Sequence, residues 1–139
     1  MDEKTKKLAV LYLKIIKVLC RKPIKEDMIG YGQGQVRIIT YLADHPEGVL
    51  SGELSSEISV GTGRIGNVLK ELEKKGLVTR EDDSSDRRKT IVKITPLGVK
   101  IAEEKKNEFI SFNEKVINAI GYDEFYHFLQ TLQKIITIE

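Results

Sequence analysis

The chain has 139 residues, of which 40% are hydrophobic and 32% are charged, and its formal net charge is +2. These proportions are ordinary for a compact globular chain and exclude an intrinsically disordered one. The sequence has no secretory signal, only one cysteine, and no apolar run near the roughly 18 residues of a membrane span. It therefore predicts a soluble, cytoplasmic protein without a disulfide framework and without a membrane partner.

The first predicted helix covers residues 3–20. One stripe of its surface is apolar and contains Leu8, Leu11, Tyr12, Ile15 and Leu19. Much of the remaining surface is also apolar, with Val10, Leu13, Ile16 and Cys20. One neighbouring element cannot cover so much apolar surface, so this helix is expected to have more than one neighbour.

Cys20 lies near the end of this helix, beside Arg21 and Lys22. Neighbouring positive charges favour the thiolate, which is the reactive form of a cysteine. Redox sensing is therefore one interpretation of Cys20, although a small hydrophobic side chain in a packed interior is the favoured one. No metal site is predicted, because Cys20, His45 and His127 lack any short ligand spacing, and no cofactor is expected.

Two short segments around the second helix have turn chemistry. Residues 30–34 carry three glycines, but no strand precedes them and no Gly-Lys-Ser follows, so a loop is predicted rather than a phosphate site. Residues 45–48 are predicted to form the turn that closes the second helix.

The serines near the third helix, at positions 51, 55 and 56, are explained by capping. No Ser-His-Asp or Cys-His motif is present, so no catalytic residue and no enzymatic activity are expected.

A helix over residues 62–75 is predicted from its apolar spacing. At about 100° per residue, one arc of the helix is apolar and contains Ile65, Val68, Leu69 and Leu72. Lys74 and Lys75 complement the negative end of the helix, and Gly76 is the expected stop, because glycine adopts a positive φ without a Cβ penalty.

The opposite face of this helix carries groups suited to duplex DNA. Asn67 can pair with adenine, Arg64 can reach guanine or phosphate, and Thr62 can bond a base edge or a phosphate. Lys70 and Lys74 can neutralise phosphates. The alternative is that these side chains are merely solvated.

Glycines at positions 61, 63 and 66 are unusual so close together in a helix, where each costs about 1 kcal/mol relative to alanine. Close approach of the helix backbone to DNA is one explanation, and Gly63 is included among the predicted DNA-binding residues. Tight packing against a neighbouring helix is the alternative.

A β-hairpin follows, with strands predicted over residues 77–81 and 89–95 and a polar connection over residues 82–88. Its tip carries Asp86, Arg87, Arg88 and Lys89. An arginine on a turn can enter the minor groove of DNA, and Asp86 can hold one guanidinium in place. A solvated charged turn is the alternative, but nine Lys or Arg residues lie between positions 60 and 95, which favours an electropositive, DNA-binding face.

Two further helices are predicted at the end of the chain. Thr95 is a candidate N-cap with Pro96 at the first helical position, and that helix is expected to run to about Ala119, with a break at Gly121. The last helix begins at Asp123. Its apolar stripe contains Phe125, Phe128, Leu129, Leu132, Ile135 and Ile136.

The predicted organisation is one compact chain with three parts: an N-terminal dimerisation helix and loop (1–30), a winged helix-turn-helix (31–98) and C-terminal dimerisation helices (99–139). The winged helix needs only the middle part for its core, so the flanking helices of a monomer would expose apolar surface to solvent. A homodimer is therefore predicted. Its contact residues are Leu8, Leu11, Tyr12, Ile15, Phe125, Phe128, Leu129, Leu132 and Ile136. In the alternative, the flanking helices cover the core of their own monomer.

The middle of the chain resembles the MarR family of transcription regulators. The resemblance is carried by the run Leu72–Val78, then Arg80, then Asp86–Arg88, then Ile94-Thr95 and Gly98. Residues 33–42 and 50–58 resemble the second and third helices of the family.

The resemblance implies a homodimer that binds pseudo-palindromic operators in double-stranded DNA and is regulated by a small molecule, a metal or an oxidant. It implies that residues 62–75 lie in the major groove and that Asp86 and Arg88 are the paired residues of the wing. Tyr12, Tyr31 and Tyr41 could line an effector pocket, although core packing is favoured for each.

The fold class expected is mainly α with a small β-hairpin wing, a winged helix-turn-helix core flanked by dimerisation helices. The function expected is a dimeric, sequence-specific transcription regulator, a repressor by family habit, that an effector releases. The alternative is a winged-helix protein that serves protein interaction or non-specific architectural DNA binding.

Overall fold

The computed structural model describes residues 2–21, 34–58 and 62–138. The described helices are α1 (Glu3–Arg21), α2 (Gly34–Ala43), α3 (Ser51–Ile58), α4 (Thr62–Lys74), α5 (Pro96–Ile120) and α6 (Tyr122–Ile136). The described strands are β1 (Val49–Leu50), β2 (Val78–Asp82) and β3 (Thr90–Ile94). The predicted fold class, mainly helical with a winged helix-turn-helix, is confirmed.

The sheet has three antiparallel strands in the order β1-β3-β2. The hairpin of β2 and β3 was predicted, with bounds that differ by about one residue, and its register runs from Val78 opposite Ile94 to Asp82 opposite Thr90. Strand β1 was not predicted, because two residues are too few to show an alternating pattern. The third helix was expected from Leu50, and this is corrected to Ser51 because Leu50 pairs with Ile91 of β3.

The core lies between α2, α3, α4, the sheet and the start of α5. Its fully buried side chains are Ile38, Ile39, Leu42, Leu54, Ile65, Leu69, Leu72, Val78 and Val92. Ala102 is 4% exposed and Ile101 packs against the same cluster. The core therefore continues past residue 98, and the first two turns of α5 pack on the winged helix.

The end of α4 is fixed by a Schellman motif. The Leu77 N–H donates to the Leu72 carbonyl at 2.9 Å and the Gly76 N–H donates to the Glu73 carbonyl at 3.0 Å. Gly76 has a φ of +73°, as expected for the residue after a helix. Leu72 and Leu77 are both buried, so the residues on either side of this turn are anchored in the core.

The start of α5 is held by Thr95, as predicted. Its hydroxyl accepts from the Gly98 N–H at 3.0 Å and donates to the Gly76 carbonyl at 2.6 Å, and its backbone N–H donates to the Leu77 carbonyl at 3.0 Å. A Cβ atom on Gly98 would lie 2.1 Å from the Leu77 carbonyl oxygen. This close approach explains why a glycine stands inside a helix.

The flanking helices expose their apolar side chains. In α1, Leu8, Leu11 and Ile15 are each more than half exposed, while the side chain of Tyr12 lies outside the described part. Helix α6 begins after Gly121, which has a φ of +101°, and it contains no buried residue. Its exposed apolar residues include Phe128, Leu129, Leu132 and Ile136, and Phe125 is half-buried beside the Phe128 ring.

Candidate nucleic-acid interface

Helix α4, here called the recognition helix, has one buried face and one open face. Ile65, Leu69 and Leu72 are no more than 2% exposed. The residues on the open face are exposed and comprise Gly63, Arg64, Asn67, Lys70 and Lys74. The predicted division of the helix into two faces is confirmed. For Thr62 the structure gives the backbone, and its side chain lies outside the described part.

Gly63 and Gly66 have open space beside them. A Cβ atom added at either position would meet no described atom within 4 Å. Packing against a neighbouring helix therefore does not explain these two glycines within the described part of the chain. Gly61 lies outside it.

The tip of the hairpin holds an arginine in a defined orientation. The Arg88 Nε donates to Asp86 Oδ1 at 3.1 Å and its Nη2 donates to Oδ2 at 3.3 Å. The Arg88 backbone N–H also donates to Oδ1, at 3.1 Å. The hydrogen bond from the Arg88 side chain, and to a smaller extent the one from its backbone N–H, lower the pKa of the Asp86 carboxyl below its ordinary value. The Arg88 side chain remains 91% exposed, so its charge faces solvent.

The rest of the tip is ordered by its own hydrogen bonds. The Asp83 N–H donates to the Lys89 carbonyl and the Lys89 N–H donates to the Asp86 carbonyl, both at 2.9 Å. Asp83 Oδ1 accepts from the N–H and the hydroxyl of Ser85, at 3.1 and 3.0 Å. Arg87 and Lys89 are exposed on this turn. The tip thus presents three cations, at positions 87, 88 and 89, on a structured loop.

The sequence and the fold both match known regulators. A family model described as the MarR family matches residues 29–89. The match spans less than half of the chain, and over these residues the sequence is similar to the MarR family. The uncharacterized HTH-type transcriptional regulator YdgJ of Bacillus subtilis is 26% identical over 99 residues, which are 71% of this chain and 60% of the relative.

Two solved structures show the same fold as this chain. MepR, a transcription regulator of the Staphylococcus aureus multidrug efflux pump MepA, has a TM-score of 0.63 at 21% identity, over 74% of this chain and 76% of that one. Streptococcus pneumoniae FabT in complex with DNA has a TM-score of 0.69 at 18% identity, over 95% of this chain and 94% of that one. The second match extends the likeness to the flanking helices.

Arg37 is a structural residue that sequence reasoning missed. Its Nη1 donates to the Ile58 carbonyl and its Nη2 donates to the Glu57 carbonyl, both at 3.3 Å. These carbonyls end α3 and have no partner within the helix. Arg37 thereby ties α2 to the segment that leads into the recognition helix. Glu57 and Ile58 lie 20 and 21 residues after Arg37, so no local pattern could reveal the contact.

Two further contacts hold the end of the recognition helix. The Arg80 Nε of β2 donates to Glu73 Oε2, and the Lys75 Nζ donates to Gln35 Oε1 of α2 at 2.7 Å. Each of these two pairs joins surface side chains of different elements, and tertiary packing brings them together. Sequence reasoning did not find either contact.

Of the three tyrosines considered for an effector pocket, only Tyr41 has a described side chain, and it packs against the core, which was the favoured interpretation. The Tyr41 ring stacks on His45 with centroids 4.3 Å apart, and His45 Nδ1 lies 2.8 Å from the Tyr41 carbonyl oxygen. Desolvation first, and then the charges of nearby glutamates, raise the pKa of Tyr41 above its ordinary value. Tyr31 and the side chain of Tyr12 lie outside the described part, as does that of Cys20.

An open apolar cleft of about 400 Å³ lies between α2, the end of the recognition helix and the start of α5. Its lining includes Val36, Leu97 and Ile101, with Lys75 and Lys105 at its rim. Among the described residues, no three His, Cys, Asp or Glu side chains are grouped as a metal site. The described helices are also too short or too polar to cross a membrane.

Proposed function

We propose that this chain is a dimeric, sequence-specific DNA-binding regulator of transcription, a repressor released by an effector. The observation that carries the proposal is the pairing, on one small domain, of an open cationic helix face with an ordered, arginine-bearing hairpin tip. FabT, whose fold this chain shares, was solved in complex with DNA. MepR is described as a transcription regulator.

The recognition helix would enter the major groove. Its open face offers Asn67 and Arg64 for base edges, together with Thr62, and Lys70 and Lys74 for phosphates. The open space beside Gly63 would let the backbone come close to the duplex.

The hairpin, here called the wing (residues 78–94), would place its tip in the adjacent minor groove. Arg87, Arg88 and Lys89 supply positive charge there, where narrow A·T-rich segments concentrate negative potential. Asp86 would orient the Arg88 guanidinium before binding, which lowers the entropy lost when it engages DNA.

The flanking helices would form the dimer. The proposed interface comprises residues 1–30 and the part of residues 99–139 that follows Ala102, which packs in the winged-helix core, and it is supported by the exposed apolar side chains of α1 and α6. A two-fold pair of recognition helices reads half-sites about one helical turn, or roughly 34 Å, apart. A pseudo-palindromic operator follows from this symmetry, and the protein would act in the cytoplasm, on chromosomal DNA.

Release would follow from the spacing of the two recognition helices. An effector that binds more tightly to a dimer with the wrong spacing lowers operator affinity by the ratio of its two affinities. The cleft between α2 and α5 is one place where a small molecule would change that spacing. Oxidation of Cys20 is the alternative route. Neither route requires a catalytic group, so no enzymatic activity is proposed.

The test is a ratio of affinities at one stated salt concentration. A duplex is first selected from a random pool by the wild-type chain, and its affinity is compared with that of a scrambled duplex of equal length. A specific regulator binds the selected duplex on the order of 10³-fold more tightly or better. A ratio near one would remove the regulator and support an architectural DNA binder, and no binding to either duplex would support a protein-interaction module.

A further inference from the structure

We propose that the ion pair of Glu73 and Arg80 sets the angle between the recognition helix and the wing, so that both residues are positioning residues for DNA binding. This rests on the proposed function and names a part of its machinery. Neither residue belongs to the predicted set of DNA contacts.

The pair joins the two elements that would enter the two grooves. Glu73 lies in the last turn of α4, and Arg80 lies in the middle of β2, with its Nε 2.5 Å from Glu73 Oε2. Arg80 shares a strand face with Val78, because side chains two residues apart point to the same side. Val78 is 1% exposed and belongs to the core. The Arg80 side chain therefore starts on the core-facing side of an edge strand and reaches back to the helix.

The position of the pair gives it leverage over the wing tip. The strand leaves the core after Val78 and ends at Asp82, two residues or about 7 Å beyond Arg80, and the tip reaches a few ångström further, to roughly 10 Å. At that distance a rotation of about 10° at the base moves the tip by about 2 Å, whereas hydrogen-bond lengths span only about 0.5 Å. Without the pair, the wing would lose its fixed relation to a helix seated in the major groove.

A second ion pair in the wing provides a matched comparison. Lys93 Nζ lies 2.8 Å from Glu81 Oε1, and the two side chains are 43% and 54% exposed. Those of Arg80 and Glu73 are 29% and 44% exposed. The Lys93–Glu81 pair joins β3 to β2 and does not touch the recognition helix. Breaking it removes an equivalent charge pair without releasing the wing from the helix.

The competing interpretation is that Arg80 binds a DNA phosphate directly and that Glu73 merely restrains it. The two interpretations predict opposite changes in the DNA affinity of Glu73→Ala. If Arg80 contacts phosphate, Glu73→Ala frees a cation and removes a negative charge, and binding becomes tighter. If the pair positions the wing, the same substitution weakens binding despite the gain in net positive charge.

The experiment measures affinity for the duplex selected by the wild-type chain, at one salt concentration, for Glu73→Ala, Glu81→Ala, Arg80→Glu and the double variant Glu73→Arg/Arg80→Glu. We expect Glu73→Ala to bind about fivefold more weakly, and Glu81→Ala to bind within twofold of wild type, by the order of magnitude of exposed ion pairs. Arg80→Glu binds more weakly still, and the double variant recovers most of the loss because the pair is restored in reverse.

Hydroxyl-radical footprinting provides a readout that a loss of stability would not change selectively. For Glu73→Ala, protection of the minor groove by the wing should decrease while protection at the recognition helix remains. Thermal unfolding is measured for every variant. If Glu73→Ala unfolds at a lower temperature than the wild type, Glu73→Gln replaces it, because this variant removes the charge and keeps the shape of the side chain.

Unchanged or tighter binding by Glu73→Ala, or no recovery in the double variant, would overturn the positioning role. Failure of the wild-type chain to select any duplex would instead overturn the proposed function. The two failures are thus distinguishable in one set of measurements.

Discussion

Asn67 is the side chain on the recognition helix with the clearest capacity to read a base. It is exposed in the middle of the open face, and its amide can donate to and accept from one adenine. Asn67→Ala should relax discrimination at one base position by roughly 1 to 3 kcal/mol. Affinities for duplexes with single base-pair changes measure this. An unchanged base preference would mean that a different face of the helix meets the bases.

Arg88 tests the wing at the level of one side chain. Because its guanidinium is held by Asp86 but 91% exposed, its removal should leave the fold intact. Arg88→Ala should weaken binding to the selected duplex and leave the dimer dissociation constant unchanged. A parallel fall in dimer stability would give the wing a structural role outside this account.

The glycines illustrate how much of the site the sequence can predict at the residue scale. Gly76 was predicted correctly, because a helix stop after two lysines is a local pattern. Gly98 was quoted only as part of a family motif, and its physical reason is a contact with the Leu77 carbonyl, a backbone atom 21 residues away. The contacts of Arg37 and of the Glu73–Arg80 pair were missed because each joins two separate elements, over 20 or 21 residues for Arg37 and seven for the pair.

At the scale of elements, periodic patterns predicted the described helices well and the smallest strand not at all. The apolar arc of α4, the Thr95 cap of α5 and the break at Gly121 are local signals that the structure reproduces. Strand β1 is only two residues long, and it exists because Val49 and Leu50 pair with β3. Pairing of this kind is decided by tertiary structure.

Gly66 and Gly98 should respond oppositely to the same substitution. Gly66→Ala should stabilise the fold by about 0.5 to 1 kcal/mol, because its Cβ meets open space and alanine favours the helix. Gly98→Ala should destabilise it by about 1 to 3 kcal/mol or more, because its Cβ overlaps the Leu77 carbonyl. Denaturant unfolding measures the free energy of unfolding of both variants. A change in the same direction for the two would contradict the packing described for these helices.

Gly66→Ala also separates stability from binding. If the recognition helix lies against the duplex, the added methyl group should weaken binding to the selected duplex even though the free protein is more stable. A variant that is both more stable and equally tight would show that the backbone does not approach the DNA at this position.

At the scale of the whole molecule, the apolar surface of α6 should hold two chains together. No residue of this helix is buried within one chain, so a charge there costs little in the fold of the monomer. Phe128→Asp should weaken dimerisation and binding to the selected duplex together. The control is His127→Asp, which lies about 100° around the helix from Phe128 and outside the apolar stripe. Loss of the dimer in the control alone would place the interface on the other face.

Sedimentation velocity at micromolar concentration tests the central claim most directly, because the proposed function requires two winged helices that are held together to engage one duplex. The account predicts a dimer in free solution and one dimer on each selected duplex. A lone subunit at micromolar concentration, both free and on the duplex, would contradict it.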